Sequence, residues 1–300
     1  MEPPQRTDAE SAVIAELIAC TPTLASPEGP GDDCACLPEG AVCCVDTLVE
    51  GVHWNERLDP SDVGFKALAV NVSDLAAMGA KPDWMLLALS LPSPLDRGWV
   101  REFARGLGEA ARRWGVTLRG GDTTRSLGGR FVSVTLAGRC QAAPLTRSGG
   151  RVGDALWVTG RLGLAGAGWA DDNPSPDALA ALRRPNPPLG FALELARRGL
   201  ATAAIDISDG LATDLPRLCT ASGCGATVEP EDVPGDAYAW TGGEDYQLLF
   251  ASPSHLTDEV HHAAQQAQTT ATRIGVLTEG ALVLRGRPWP VPLFQHWNEA

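Results

Sequence analysis

The stretch FKALAVNVSDLAAMGAKPDWMLLALSLP, residues 65–92, decides how this chain is read. Its first part has helical spacing of apolar residues and ends at Gly79, with Pro82 following, so the pattern predicts a helix over 65–82. DWMLLALSLP (83–92) is then a continuous apolar run of strand length. At about 100° per residue, Leu68, Val72 and Leu75 cluster within roughly 60° and form a core face. Lys66, Asn71, Ser73 and Asp74 share a separate arc of roughly 160°, set among small apolar residues. That arc is either a partly exposed helix face or the wall of a site.

The same alternation runs outward in both directions. ESAVIAELIAC (10–20) and WVREFARGLGEAARRWG (99–115) read as helices. AVCCVD (41–46), VTLRGGD (116–122) and RFVSVTLAGRC (130–140) read as strands. QAAPLTRSGGRVGD, from residue 141, is turn-rich, and the expected boundary lies there: 1–142 and 143–300. Beyond it ALWVTG, TAAIDISDG, GATVEP, DYQLLFASP, ATRIGVLTEG and ALVLRG are strand candidates. GLAGAGWA, LGFALELARRG and LATDLPRLCTASG are helix candidates, with Pro216 near the first turn. The expected class is α/β (α+β), two domains of mixed sheets flanked by helices. Each half also has an apolar run ending in Asp (Asp46, Asp206) and a later Gly-Gly-acid turn (GGDTT, GGEDYQLLF).

Three hundred residues with 44% hydrophobic and 20% charged content fit a globular protein with a real core. The net charge of −13 and the lack of a Lys/Arg run argue against nucleic acid as a partner. No apolar run is long enough to span a bilayer, and the N-terminus is acidic and Pro-rich, so membrane association is not expected and the expected location is the cytoplasm. The eight cysteines form no C-x-x-C and pair with no histidines, which argues against zinc and for buried free thiols.

Acidic residues recur at the ends of apolar runs and in glycine-rich segments. They are Asp32 and Asp33 in GPGDDCA, Asp46 in CCVDT, Asp122 in GGDTT, Asp206 and Asp209 in IDISDG, and Glu244 and Asp245 in GGEDY, with Asp74 on the helix. Such carboxylates stand at sheet edges, where ligand crevices form. Many desolvated carboxylates cannot ionise together unless cations neutralise them. Oxygen-only ligands select hard ions, with Mg²⁺ the first expectation. No Walker or kinase glycine loop is present. The turns RGGDTT and TGGED can offer backbone N–H groups to oxyanions. Arg147 in LTRSGGRVGD is either a phosphate clamp or a surface residue of a linker. His53, beside Trp54, is either structural or a substrate contact.

Taken in order, GDDCA, DTLVEGVHW, KALAVNVSDLAAMGAKP, GGDTTRS, LTRSGGRVGD, AIDISDGL and GGEDYQLLF closely resemble the thiamine-monophosphate kinase family of the aminoimidazole-ribonucleotide-synthetase superfamily. The resemblance runs from about residue 29 to 250 and separates the chain from selenophosphate synthetase and the hydrogenase-maturation carbamoyl dehydratase. It implies a homodimer formed through the N-terminal domain, and transfer of the ATP γ-phosphoryl group to thiamine monophosphate. By match to the family motifs, Asp33, Asp46, Asp74, Asp122, Asp206 and Asp209 are the implied Mg²⁺ ligands. Gly121, Asp122, Arg147 and Ser208 are implied for ATP; His53 and Glu244 are implied for the thiamine phosphate. Trp297, in LFQHW, is the implied stacking partner of the thiamine ring. The chain departs from the family at Cys44 and Val45, where hydroxyl residues are usual, and in shorter connections at 171–188 and before GGED. Another ATP-using enzyme of the superfamily and a non-catalytic nucleotide-binding relative are the alternatives.

Overall fold

The computed structural model describes residues 9–235, 237–285 and 289. Trp297 lies outside them. The first half runs α1 (Ala9–Cys20), β1 (Ala35–Cys36), β2 (Ala41–Val49), α2 (Pro60–Ala77), β3 (Ala80–Leu91), α3 (Arg97–Trp114), β4 (Thr117–Arg125) and β5 (Phe131–Cys140). Its sheet has the order β1-β2-β5-β3-β4. β3 and β4 are parallel, with α3 as the crossover, and the remaining pairs are antiparallel.

The second half runs β6 (Ala155–Thr159), α4 (Leu164–Ala170), α5 (Pro176–Arg183), α6 (Leu189–Arg198), β7 (Ala203–Ile207), α7 (Leu211–Ser222) and β8 (Gly225–Val228). It continues with α8 (Tyr238–Thr241), β9 (Gln247–Ser252), α9 (Thr257–Gln266), β10 (Ala271–Thr278) and β11 (Val283–Leu284). The sheet order is β11-β8-β10-β6-β9-β7, antiparallel except for β11 with β8. Both halves are therefore mixed sheets with helices, as the alternation implied.

The helix that opened the reading is displaced. It starts at Pro60, where proline's missing N–H costs nothing, and stops at Ala77 with Met78 as its cap, so the expected end at Gly79 holds and only the span drawn on to Pro82 is too long. Gly79 takes φ 63, the left-handed geometry that ends the helix. Ala80 already belongs to β3, so Pro82 sits inside a strand, in the part that pairs with β5 alone. A register shift against β5 between Pro82 and Trp84 accommodates the missing donor.

Of the two readings of the polar arc of α2, the partly exposed helix face is excluded and the wall of a site stands. Every residue of α2 except Pro60 and Asp74 is buried, so the helix has no solvent side. It packs on α3, β2 and β5 in one half and on α6, β7 and β9 in the other. Ala76 and Ala77 join the core of Trp157, Phe191 and Phe250. A helix buried all round must have each of its polar groups answered by a partner.

Pro216 is the sixth residue of α7, well past the first turn. Proline offers no N–H to the carbonyl of Ala212; the indole Nε1–H of Trp289 donates to that oxygen at 3.1 Å instead. All eight cysteines are free thiols; Cys34, Cys44 and Cys219 are buried and Cys20 is exposed. Among the described residues no helix is long and apolar enough to cross a membrane.

Candidate active site

Four segments meet around α2. Asp33 comes from the loop before β1, Asp46 from β2, Asp74 from α2 itself and Asp206 from β7. One carboxylate oxygen each of Asp33, Asp74 and Asp206 lies within 4.8 Å of the others. Asp46 shares a hydrogen bond with Asp74, and Ser73 donates to Asp206 Oδ2 at 2.7 Å.

Burial is the main reason these acids resist ionising. It pushes Asp74 well above the usual carboxylate range, with the Asp46 charge adding to it. Asp206 is driven the same way by burial and by Asp33. Asp46 is raised to about 6, again chiefly by burial. Burial also raises Asp33, although the Arg147 guanidinium opposes it.

The adjacent aspartates of GPGDD have separate jobs. Asp32 accepts from the Arg147 backbone N–H at 2.6 Å and from Ser26 Oγ, so it anchors the loop carrying the arginine. Asp33 Oδ1 accepts from Arg147 Nη2 at 2.6 Å. Asp33 Oδ2 is buried and has no hydrogen-bond partner. A buried, unanswered carboxylate oxygen beside two further desolvated carboxylates fits a hard divalent cation. Cys44 does not compete for that role: it is buried and its thiol points to Asn71 Oδ1 at 3.5 Å. Val45 faces the other way and is 62% exposed.

Residues 208–209 and 242–246 close the other side. Glu244 N–H donates to Ser208 O at 2.7 Å and Tyr246 N–H to Ile207 O at 2.8 Å. Gly243, Glu244 and Tyr246 have φ of 64, 61 and 50. Left-handed backbone at two non-glycine residues is strain held by its surroundings. The sharp turning directs Glu244 to Lys66, whose Nζ lies 2.7 Å from Glu244 Oε1. Asp209 pairs with Arg217, and its N–H donates to Asp214 Oδ2 at 3.0 Å. Asp214 is fully buried and raised to about 8, first by burial and then by Asp209. His53 lies in the turn after β2; its Nδ1 accepts from Val49 N–H at 3.0 Å, which leaves Nε2 to carry the proton of the neutral ring.

Asp122 is elsewhere in the chain. Across the sheet it lies in one row with Ala88, Ser133 and Thr47, whereas Asp46 lies in the row of Val134, Leu87 and Gly121. Adjacent rows face opposite sides, so Asp122 projects from the face away from α2. It also stands three strands from β2, about 14 Å at ordinary strand spacing. Gly120 and Gly121 form no turn; they lie within β4, every residue of which is exposed. Gly121 is required by close packing, since a Cβ there would fall 1.8 Å from Leu87 O.

Lys66 is placed by the sequence only on the polar arc of α2, with no role assigned, and Asp214 and Arg217 are not singled out at all. Lys66 carries a signal: it is one of only two lysines in the chain and stands among small apolar residues on the arc that also holds Asn71, Ser73 and Asp74. Asp214 and Arg217 are one helical turn apart on α7, a spacing common on any surface.

The chain matches the family described as AIR synthase related protein, N-terminal domain, over residues 31–140, and its C-terminal domain over 151–285. The fold and the acid cluster thus define a protein of the AIR synthase related class. Within that class it is 39% identical over 277 residues to thiamine-monophosphate kinase of Salmonella typhimurium, covering 83% of this chain and 84% of the relative. The structure of AaThiL complexed with AMPPCP and TMP matches with a TM-score of 0.83 at 27% identity, over 97% of both chains. The HypE–HypF complex matches at 17% identity with a TM-score of 0.73, which shows the shared fold alone. The chain belongs to the thiamine-monophosphate kinase family.

Proposed function

We propose that this protein transfers the γ-phosphoryl group of ATP directly to the phosphate of thiamine monophosphate, giving thiamine diphosphate. One observation carries the reading. Acids from three distant segments converge with a buried, unanswered Asp33 Oδ2 among them, in a chain of this family. Both reactants are anions, so the task is to bring like charges together rather than to activate a weak nucleophile.

Asp33, Asp46, Asp74, Asp206 and Asp209 would hold Mg²⁺, which supplies neutralisation of the phosphate charge when bound. Arg147 and the Ser208 turn bind the nucleotide, and the backbone around Gly121, next to Asp122 on β4, serves the nucleotide of the other subunit. The neutral His53 ring presents Nε2–H to a phosphate oxygen, and Glu244 faces the acceptor. Trp297 stacks on the thiamine ring. Transfer is direct, with no covalent phospho-enzyme.

The working unit in this proposal is a homodimer of chains divided near residue 142. Val45, Leu86 and Phe131 are 62%, 38% and 39% exposed on the sheet face away from α2, a surface suited to a second copy. Asp122 belongs to that face. It is assigned to the Mg²⁺ and ATP site of the other subunit, because within one chain the sheet separates it from Asp46. The acidic charge and the absence of a spanning helix among the described residues are consistent with a cytoplasmic setting.

The test is ATP turnover by the purified protein with thiamine monophosphate against other phosphorylated acceptors, with Mg²⁺ and with EDTA. Thiamine diphosphate formed only with Mg²⁺ is the expected result. Nucleotide binding without that product would overturn the proposal, as would recovery of phosphorylated protein from ATP alone for the direct route.

A further inference from the structure

Lys66 has no part in the scheme above, yet its charge is fully enclosed beside the site. Its side chain is 0% exposed, on the second turn of α2. Nζ donates to Glu244 Oε1 at 2.7 Å and to the backbone carbonyl of His53 at 3.0 Å. One ammonium therefore joins three segments: the buried helix, the turn after β2 and the strained loop before β9. The latter two carry the residues assigned to the acceptor phosphate.

A fully buried ammonium is costly unless paired, and removing either member of such a pair strands the other charge. Glu244 is the ion-pair partner here, and its side chain is 22% exposed, open on the site side. Glu244 and the acids Asp46, Asp206 and Asp209 all act on the buried Tyr246 hydroxyl, so Glu244 belongs to the acidic surroundings of the site. Without Lys66 the Glu244 carboxylate would lose its ion-pair partner and its tie to α2. The His53 turn would lose its tie to α2 at the same stroke. The same helix carries Asp74, so Lys66 fixes the acceptor contacts relative to the acid cluster.

We propose that Lys66 is a positioning residue that sets Glu244 and the His53 turn at a fixed distance from the acids and so governs affinity for the phosphorylated acceptor. The proposal rests on the acceptor being thiamine monophosphate bound at Glu244 and His53. Lys66 acts through these groups; it does not contact the nucleotide.

The experiment compares Lys66→Met, Glu244→Gln and the double variant with wild type. KM for thiamine monophosphate, KM for ATP, kcat and the melting temperature are measured for each. Lys66→Met is expected to raise KM for thiamine monophosphate about tenfold or more, with KM for ATP within about twofold. The double variant is expected to be no worse than the poorer single variant, because neither charge is then stranded. Equal increases in both KM values would overturn the proposal by marking a purely structural role, and additive losses in the double variant would overturn it by showing that the two residues act independently. If Lys66→Met does not fold, Glu244→Gln must by itself reproduce the split, and an unchanged KM for thiamine monophosphate refutes the idea. Should wild type form no thiamine diphosphate at all, the functional reading fails and takes this one with it. An active wild type without the split sinks the positioning role alone.

Discussion

Gly120-Gly121-Asp122 and Gly242-Gly243-Glu244 read alike in the sequence, and the fold gives them opposite surroundings. The first is straight backbone in an exposed edge strand, where Gly121 is needed because β4 runs close against Leu87. The second is left-handed backbone wedged against Ser208, and it delivers Glu244 to a fully buried lysine. The difference teaches that a Gly-Gly-acid signature fixes where the chain is thin, not what the acid does. The burial that desolvates the clustered carboxylates comes from α2, which covers one face of the first sheet and leaves the other exposed.

The largest expected effect tests the buried side. Asp74→Asn should lower kcat by about 10²–10³-fold, as loss of a group stabilising developing charge does. It should also raise the melting temperature of the metal-free protein, because a desolvated carboxylate repelled by Asp46 is removed. A fall in that melting temperature would mean that the cluster holds the fold together without metal.

Asp122→Asn probes the exposed side and should lower kcat comparably. Mixed dimers carrying Asp74→Asn on one chain and Asp122→Asn on the other should regain activity in one of their two sites. If both acids act within one chain, mixing restores nothing.

The two glycines separate next, by stability. Gly121→Ala would set a methyl 1.8 Å from Leu87 O and should cost about 2–4 kcal/mol. Gly243→Ala would meet Ser208 O at 2.8 Å with φ 64, and should cost about 1–2 kcal/mol. Only the Gly243 change should raise KM for the acceptor, because only that loop carries Glu244. Denaturant melts and steady-state kinetics check both.

The smallest effect is a pH trend confined to the buried side. An ordinary aspartate loses its proton near pH 4. Folded Asp46 holds it to about 6 and Asp214 to about 8. The metal-free folded state thus binds more protons than the unfolded chain between pH 4 and 8, and its stability should fall as pH rises through that window. Mg²⁺ should raise the melting temperature more at pH 8 than at pH 5; equal increments would contradict the assignment of Asp46 to the cation.

Much of the fold was legible because period and punctuation are local. The strands at 155–160 and 203–207 and the helix at 189–198 lie where the apolar runs put them. The errors have physical reasons. α2 begins five residues before the predicted start because Asp59 and Pro60 open it, ahead of the apolar pattern. α9 went unseen because TDEVHHAAQQ buries only Val260 and two alanines. Of the site, the acids were visible as residue types and Lys66 as a member of the polar arc of α2, whereas the Lys66–Glu244 pairing, Asp214 and Arg217 were not, since their partners lie on other elements or look like surface pairs.

The sequence by itself determined the alternation of elements, the acids available and the family, since each is written in the order of residues. Tertiary structure alone decided which acids share a site. Asp33, Asp74 and Asp206 lie far apart along the chain and meet only because α2 is clamped between two sheets. Asp122 is excluded from them by the pleat of one strand and by three strand spacings, distances that no motif encodes.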